Sequence, residues 1–421
     1  MFAVAYPDNL AALGVCRGLG VHGVRTVVLS TDRTAPGQYS RYAERVACPP
    51  ATDEAAFIDF LVAFGQARGG RPVLFLTDDS SLVAVQRHHE RLAPWYRFPL
   101  GPWSVLEQVM LKDALHRALD GVVPVPRTAT PATEAELPKA LDEVGLPAIL
   151  KPVLRCLFDP AAPEPLPFEK VFGAKAVRVR TADELTGAWR RARAHGFALV
   201  VQEEIPGPVE QLHSVGLCAT EAGLVAAFTS HKLGQVPAEF GDGLVVRAVR
   251  SPEIVPLAER AVRHFGLTGL ADIEFKWDPR EQVWKLLDIN PRPWLWINLP
   301  TACGVNLPWA AWLTAMGRPA DPRDFVQRDF ERRWISLRGL AVATMHGMVA
   351  GRPLQALSTV VRHLRGPRVG PLWHRADPLV RMVLSPRFWW ESLRQSARNV
   401  GRLHAAHQER PQPATLPGGS R

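Results

Sequence analysis

The sequence predicts an α/β chain: a small parallel strand–helix unit leads, a larger mixed α and β segment follows, and an extension closes it. Three observations carry this. Strand and helix patterns alternate over the first hundred or so residues. Around residues 271–294 two strand-like runs joined by a turn carry oxygen-bearing side chains at alternate positions. Beyond about Met316 the composition shifts to arginine and tryptophan and ends in a Pro/Gly/Ser-rich tail after Gln408, read as disordered.

Taken in order, residues 2–6 read as a strand, 9–19 as a helix, 26–29 as a strand, 54–67 as a helix and 73–76 as a strand. Gly18-Leu19-Gly20-Val21-His22-Gly23 spells G-x-G-x-x-G. The dinucleotide fingerprint needs those glycines between the first strand and its helix, whereas these follow the helix, so they read as a helix end and turn. Thr77-Asp78-Asp79-Ser80 caps the next helix or meets substrate from a strand's carboxyl end, and capping is preferred. A helix over 105–119 carries Lys112-Asp113, another spans 134–144, and 147–152 reads as a strand ending in Lys151-Pro152. Residues 154–167 are proline-rich and aperiodic, hence a loop. A buried strand over 198–204 ends at the sharp turn Pro206-Gly207-Pro208.

At 421 residues the chain is long enough for two to three domains, and 47% hydrophobic with 22% charged residues is globular composition. A net charge of +9 suits an anionic ligand, but no basic run is interleaved with aromatics, which argues against nucleic acid. The five cysteines are far apart and form no C-x-x-C pair, so neither a zinc ribbon nor a disulfide framework is indicated and a reducing cytoplasm is the expected compartment. The start at Phe2-Ala3-Val4-Ala5-Tyr6 argues against a signal peptide, and no apolar run is long enough to span a bilayer. Of 50 Lys plus Arg only eight are lysine, at 112, 139, 151, 170, 175, 232, 276 and 285. In a chain that otherwise uses arginine, a retained lysine suggests a compact ammonium at a phosphate. Lys139 and Lys285 are read instead as solvated surface.

The chemistry concentrates in residues 271–294. Glu274 on the first run and Asp288 and Asn290 on the second share one sheet face, with the Asp278-Pro279 turn between the runs. Facing side chains lie about 5 Å apart at Cβ, so the three can converge on a hard cation such as Mg²⁺. Arg292 follows, its backbone fixed by Pro291 and Pro293.

The order Glu, then Asp-x-Asn-Pro-Arg, resembles the signature of the ATP-grasp superfamily, and the resemblance extends over residues 1 to about 315. In particular it is similar to the carboxylate-amine ligase branch, with biotin carboxylase, carbamoyl phosphate synthetase and D-alanine:D-alanine ligase. The second carboxylate of that signature is usually Glu; Asp288 is shorter and moves the ion by about one methylene. The resemblance implies an N-terminal Rossmann-like pre-ATP-grasp domain (1–104), a two-subdomain ATP-grasp fold (105–316, a nucleotide-binding half to about 200 and a metal and catalytic half from 201), and a helical C-terminal extension (317–421). It implies that Glu274, Asp288 and Asn290 hold Mg²⁺ or Mn²⁺ and that Lys112, Lys151 and Lys175 hold ATP. Lys175 lies in Phe172-Gly173-Ala174-Lys175-Ala176, in the place of the phosphate loop but with fewer glycines than usual. Gln202-Glu203-Glu204-Ile205 corresponds to the hinge that pairs with adenine, and Glu210 to the acid on the ribose hydroxyls. His231 and Lys232, with Gln235 and Arg247, flank Gly241-Asp242-Gly243 and would reach the reaction centre; a solvent-facing strand end with a mobile loop accounts for them equally well.

The implied activity is ATP-dependent joining of a carboxylate to an amine or thiol through an acyl phosphate, with ADP and phosphate released and Arg292 stabilising the transferring phosphoryl or tetrahedral oxyanion. The alternative is a catalytically silent ATP-binding regulator or scaffold. A Rossmann-type oxidoreductase rests only on the displaced glycines. The expected partners are ATP and small-molecule substrates, with no nucleic acid. The basic C-terminal region is read as packing on the core in preference to touching a partner or an anionic membrane.

Overall fold

The alternation at the start of the chain folds into a parallel sheet whose strand ends point toward the site residues. The computed structural model describes residues 1–32, 35–156, 166–237, 239–349, 351, 353–371, 374, 376–378, 386 and 390. In it β1 (Phe2–Tyr6), α1 (Leu10–Gly20), β2 (Arg25–Ser30), β3 (Ala43–Ala47), α2 (Glu54–Arg68), β4 (Val73–Leu76), α3 (Asp79–Arg87) and the short α4 (His89–Leu92) form the first unit. All strand pairs are parallel and the order is β3-β2-β1-β4. β3 has no counterpart in the sequence reading, because Ala-Glu-Arg-Val-Ala is too polar for the buried-strand pattern. Helix α1 starts where Asn9 Oδ1 accepts from Ala11 N at 2.9 Å and Ala12 N at 3.0 Å. Gly18 and Gly20 lie inside α1 and Gly23 in the turn after it, so these glycines end a helix rather than cradle a dinucleotide. They serve packing: a Cβ on Gly18 would lie 2.8 Å from Asn306 Oδ1, and one on Gly20 would meet the Tyr42 ring at 2.2 Å.

The single helix expected over 105–119 is two, α5 (Trp103–Met110) and α6 (Lys112–Leu119). Leu111 between them is extended (φ −82°, ψ 112°), and Lys112 N donates to Val153 O at 3.1 Å. That break turns Lys112 toward the segment following Lys151. The second sheet is antiparallel. It is built from β5 (Thr128–Ala129), β6 (Ala148–Pro152), β7 (Val177–Val179) and β8 (Leu199–Glu203) in the order β5-β8-β6-β7, with helices α7 (Leu137–Val144), α8 (Phe168–Phe172) and α9 (Ala182–Ala194). Residues 157–165 of the expected loop over 154–167 lie outside the described residues.

The third sheet comprises β9 (Leu212–Thr220), β10 (Gly223–Val236), β11 (Asp242–Ala248), β12 (Gly269–Asp278), β13 (Val283–Asn290), β14 (Arg333–Ile335) and β15 (Arg368–Val369), ordered β13-β12-β9-β10-β11-β14-β15. Its pairs are antiparallel except β14 with β15. Helices α10 (Val255–Phe265), α11 (Asn298–Ala302), α12 (Leu307–Ala315), α13 (Leu337–Val349) and α14 (Pro353–His363) accompany it. Trp389 and the tail after Gln408 lie outside the described residues. Among the described residues no helix is long and apolar enough to cross a membrane.

Two cores join the parallel sheet to the third sheet. Phe57, Leu74 and Leu106 pack with Phe265, Ile273 and Leu286, and on the other face Val28 and Cys16 pack with Ile297, Leu307 and Trp312. The second sheet keeps its own core of Leu150, Phe168, Trp189 and Val201. A buried ion pair ties residues near the C-terminus to α1. Arg17 Nε donates to Asp377 Oδ2 at 2.9 Å and Arg17 Nη1 to Pro371 O at 2.7 Å, while Ser40 Oγ and Arg41 N also donate to the Asp377 carboxylate. Removing one member leaves the other charge desolvated. Arg17→Met should therefore lower unfolding free energy by about 3–5 kcal/mol in urea denaturation.

Candidate functional site

The β12–β13 hairpin forms in the register that brings its acids together. Asp272 faces Asn290 and Glu274 faces Asp288, with a bulge immediately after Glu274. Every second side chain of each strand lies on one face, so four oxygen-bearing groups share it: the three expected and Asp272. Neighbouring β9 adds Ser214, paired with Glu274, whose Oγ lies 3.1 Å from Ser230 Oγ.

Cations from other elements converge on these acids. Lys232, on β10, donates to Glu274 Oε1 at 3.0 Å. Lys112 Nζ lies 3.6 Å from Asp288 Oδ2. Burial works against ionisation of Asp288, but Lys112 and Lys151 hold its carboxyl below the usual range. Lys151, on β6, is pushed down to about 8 by burial and by Lys112 beside it. An additional anion near that pair, such as a phosphate, would raise it again.

Asp272 is the group whose needs are unmet. It is 1% exposed and its Oδ1 has no hydrogen-bond partner. Burial first, and Glu274 second, raise its pKa to about 8. An orphaned buried carboxylate oxygen among two further carboxylates and an amide fits a hard divalent cation with oxygen ligands, so the residues present suit Mg²⁺.

Two expected residues are drawn to partners of their own. Arg292 is ion-paired through Nε with Asp79, the first residue of α3. Asp79 also lies 3.5 Å from Arg155 Nη2, and Arg155 Nη1 donates to Glu169 Oε1 at 2.9 Å. Lys175 is ion-paired with Asp242 at the start of β11. Burial lowers the Lys175 pKa, with Asp242 opposing.

Along the expected hinge the four residues diverge. Gln202 Nε2 donates to His116 Nδ1 at 2.9 Å and to Thr128 Oγ1 at 2.8 Å, and His116 Nε2 lies 3.1 Å from Leu287 O. Burial first, and Lys151 second, push His116 down to about 3, so it is neutral and the network fixes the Gln202 amide. Glu203 turns the other way, to Lys285 at 2.6 Å and Arg127 at 3.0 Å. Glu204 pairs with Arg178 at 2.7 Å. The Ile205 carbonyl accepts from Lys276 Nζ at 2.7 Å. Beyond the turn, the Glu210 carbonyl lies 3.2 Å from His231 Nδ1, while Arg247 Nε donates to His231 Nε2 at 3.0 Å. Both His231 nitrogens are therefore engaged, and burial keeps the ring below its ordinary pKa.

The reading of Lys285 as surface is wrong. It is 3% exposed, and its ammonium is surrounded by Glu203, Asp278 at 3.2 Å and Glu281 at 2.7 Å. Those three acids lie close enough together to hold a metal ion, but the Lys285 ammonium stands among them.

Residues 198–336 match the family model described as ATP-grasp in the biosynthetic pathway with Ter operon. The fold is ATP-grasp. Among ATP-grasp structures, biotin carboxylase from Campylobacter jejuni is similar with a TM-score of 0.61 at 14% identity, over 78% of this chain and 73% of that one. An L-amino acid ligase from Bacillus licheniformis gives 0.57 at 18% identity, over 77% and 75%. In sequence, a D-aspartate ligase of Enterococcus faecium (strain Aus0004) is 22% identical over 314 residues, 71% of this chain and 73% of that protein. The likeness is to the carboxylate-amine ligase branch of the ATP-grasp superfamily.

Sequence reasoning missed four of the gathered residues. Asp272 was detectable, since it holds the same phase as Glu274 two residues on. His116 is one helical turn after Lys112, a spacing that puts both on one face. Asp79 lies in the stretch 77–80 read as a helix cap in preference to a substrate contact; Asp78 makes that cap through Ser81 N at 2.8 Å, which leaves Asp79 for the arginines. Arg155 lies in an aperiodic segment and gave no signal.

The buried Asp272 supplies a pH test. Its folded pKa of about 8 lies above the unfolded value near 3.8, so stability present at low pH is lost progressively as pH rises from about 4 to 8. In EDTA, Asp272→Asn should gain melting temperature over wild type at pH 8 and less at pH 5, and MgCl₂ should stabilise only the wild type strongly.

Proposed function

We propose that the chain is an ATP-dependent ligase that joins a carboxylate to an amine, forming a carbon–nitrogen bond through an acyl phosphate. One observation carries this reading: Asp272, Glu274, Asp288 and Asn290 share one hairpin face, with Lys112 and Lys232 from separate elements paired to two of them. Such a face suits the metal-bridged phosphates of a nucleotide and little else.

In this mechanism Asp272, Glu274, Asp288 and Asn290 would hold Mg²⁺, which would supply charge neutralisation to the phosphate chain. Lys112, Lys151 and Lys175 bind the phosphates, Lys175 after release from Asp242. Gln202, locked by His116 and Thr128, and the Glu203-Glu204-Ile205 backbone receive the adenine edge, and Glu210 the ribose. His231 acts through the Glu210 carbonyl it holds. A substrate carboxylate oxygen attacks the γ-phosphorus, and the bond to the β-phosphate oxygen breaks with its electrons leaving on ADP. Lys232 and Arg292 compensate the charge on the group in transit. The amine nitrogen then attacks the acyl carbon, the carbon–oxygen bond to phosphate breaks, and nitrogen loses its proton as phosphate departs. Catalysis rests on alignment and charge, without a protein nucleophile. A reducing cytoplasm, with all five cysteines free, is the compartment proposed with this reading.

The test incubates purified protein with MgATP, hydroxylamine and a panel of carboxylic acids, recording hydroxamate and ADP. Hydroxamate should appear with one acid or acid class and fall on the order of 100-fold in Glu274→Gln. Full activity in that variant would refute the metal assignment. ATP bound with no hydroxamate across the panel would point to a silent ATP-binding regulator.

A further inference from the structure

We propose that Asp79 is a positioning residue that sets Arg292 and Arg155 together as one oxyanion site for the phosphoryl group in transit. The inference rests on the ligase reading and adds two residues to it. Each member comes from a different part of the fold: Asp79 follows β4 of the parallel sheet, Arg155 follows β6 of the second sheet, and Arg292 follows β13 of the third. Asp79 is free for this task because Asp78 caps α3. Its Oδ1 takes Arg292 Nε, and its Oδ2 lies 3.5 Å from Arg155 Nη2.

Two guanidiniums repel each other when brought close, and one carboxylate between them offsets that repulsion. The hydrogen bonding leaves donors over. Arg292 spends Nε on Asp79 and Nη1 on Pro293 O at 3.3 Å, and among the described residues its Nη2 has no partner. A planar guanidinium held by one edge presents the other edge to an oxyanion in a fixed plane. The prolines at 291 and 293 fix the Arg292 backbone, and the Asp79 contact, with the weaker one to Pro293 O, restrains the side-chain torsions beyond it. Arg155 is held the same way from two sides, by Asp79 and by Glu169. Burial disfavours the Asp79 charge, but Arg292 and Arg155 outweigh it and keep the carboxyl ionised well below its ordinary range.

The test needs no acceptor substrate. Full-length protein is incubated with MgADP and aluminium fluoride, which stands in for the transferring phosphoryl group, and ADP retention through gel filtration is measured beside the dissociation constant for MgADP alone. Wild type should trap ADP in a fluoride-dependent way. Asp79→Asn should weaken the trap about 10-fold or more, equivalent to about 1.4 kcal/mol, with MgADP affinity within about twofold of wild type. Asp79→Glu should restore part of the trap, and Arg155→Gln should reproduce the Asp79→Asn split, which keeps the test valid if one variant folds poorly. An undiminished trap in Asp79→Asn would overturn the proposal. Equal loss of the trap and of MgADP affinity would assign Asp79 to folding and overturn it too. A wild type that forms hydroxamate without trapping ADP would overturn it while leaving the ligase reading intact; a wild type that does neither would remove the ligase reading itself.

Discussion

Everything in the site depends on carboxylates gathered on one sheet face and withdrawn from water, Asp272 wholly and Glu274 and Asp288 in part. Burying an ionised carboxylate is costly unless a cation or hydrogen-bond donors accompany it. The β12–β13 hairpin and its neighbours meet that cost at Glu274 with Lys232 and at Asp288 with Lys112, and leave it unmet at one oxygen of Asp272. The cations come from β10 and from the break between α5 and α6, so the register of one hairpin constrains where distant helices and strands must lie. The extended Leu111 and the Lys112 N to Val153 O bond are local consequences of that constraint.

The three sheets divide the work. The parallel sheet and the third sheet share two apolar cores, which holds the β4 carboxyl end against the end of β13. The second sheet has a separate core and meets the others through polar contacts, Lys112 N to Val153 O, Arg155 to Asp79 and Lys285 to Glu203, together with Leu154, which enters the shared core. Polar contacts break and reform at lower cost than a packed apolar face. A nucleotide placed between the second and third sheets would therefore work against charge pairs that its own phosphates can replace, as at Lys175 and Asp242.

What could be read from the chain follows from how local each signal is. The parallel unit was legible because period-two and period-3.6 patterns alternate without interruption, and the glycine run was placed by its position relative to α1. Glu274, Asp288 and Asn290 were legible because a hairpin converts sequence alternation into a shared face. The direction taken by a long side chain was not. Gln202 and Glu203 are adjacent on β8 and so face opposite ways, as alternation requires, but that one meets His116 and the other an ion cluster is decided by the packing around β8. Lys285 looked like a surface residue because its three acids are brought to it by the β8 register and the hairpin turn. The break at Leu111 was invisible because residues 105–119 carry helical periodicity across it, while the deciding contact, to Val153, is forty residues away.

The hairpin thus carries two groups of acids near its opposite ends, and they differ in what balances them. Near the turn, Glu203, Asp278 and Glu281 close around the covalently attached ammonium of Lys285. Near the far end, Asp272 has an oxygen that no side chain satisfies. One end keeps its counterion whatever the solution contains, whereas the other, on the ligase reading proposed above, would take its own from the medium. On that reading the occupancy of the second position would follow the free divalent ion concentration, while the fold around the turn would stay indifferent to it.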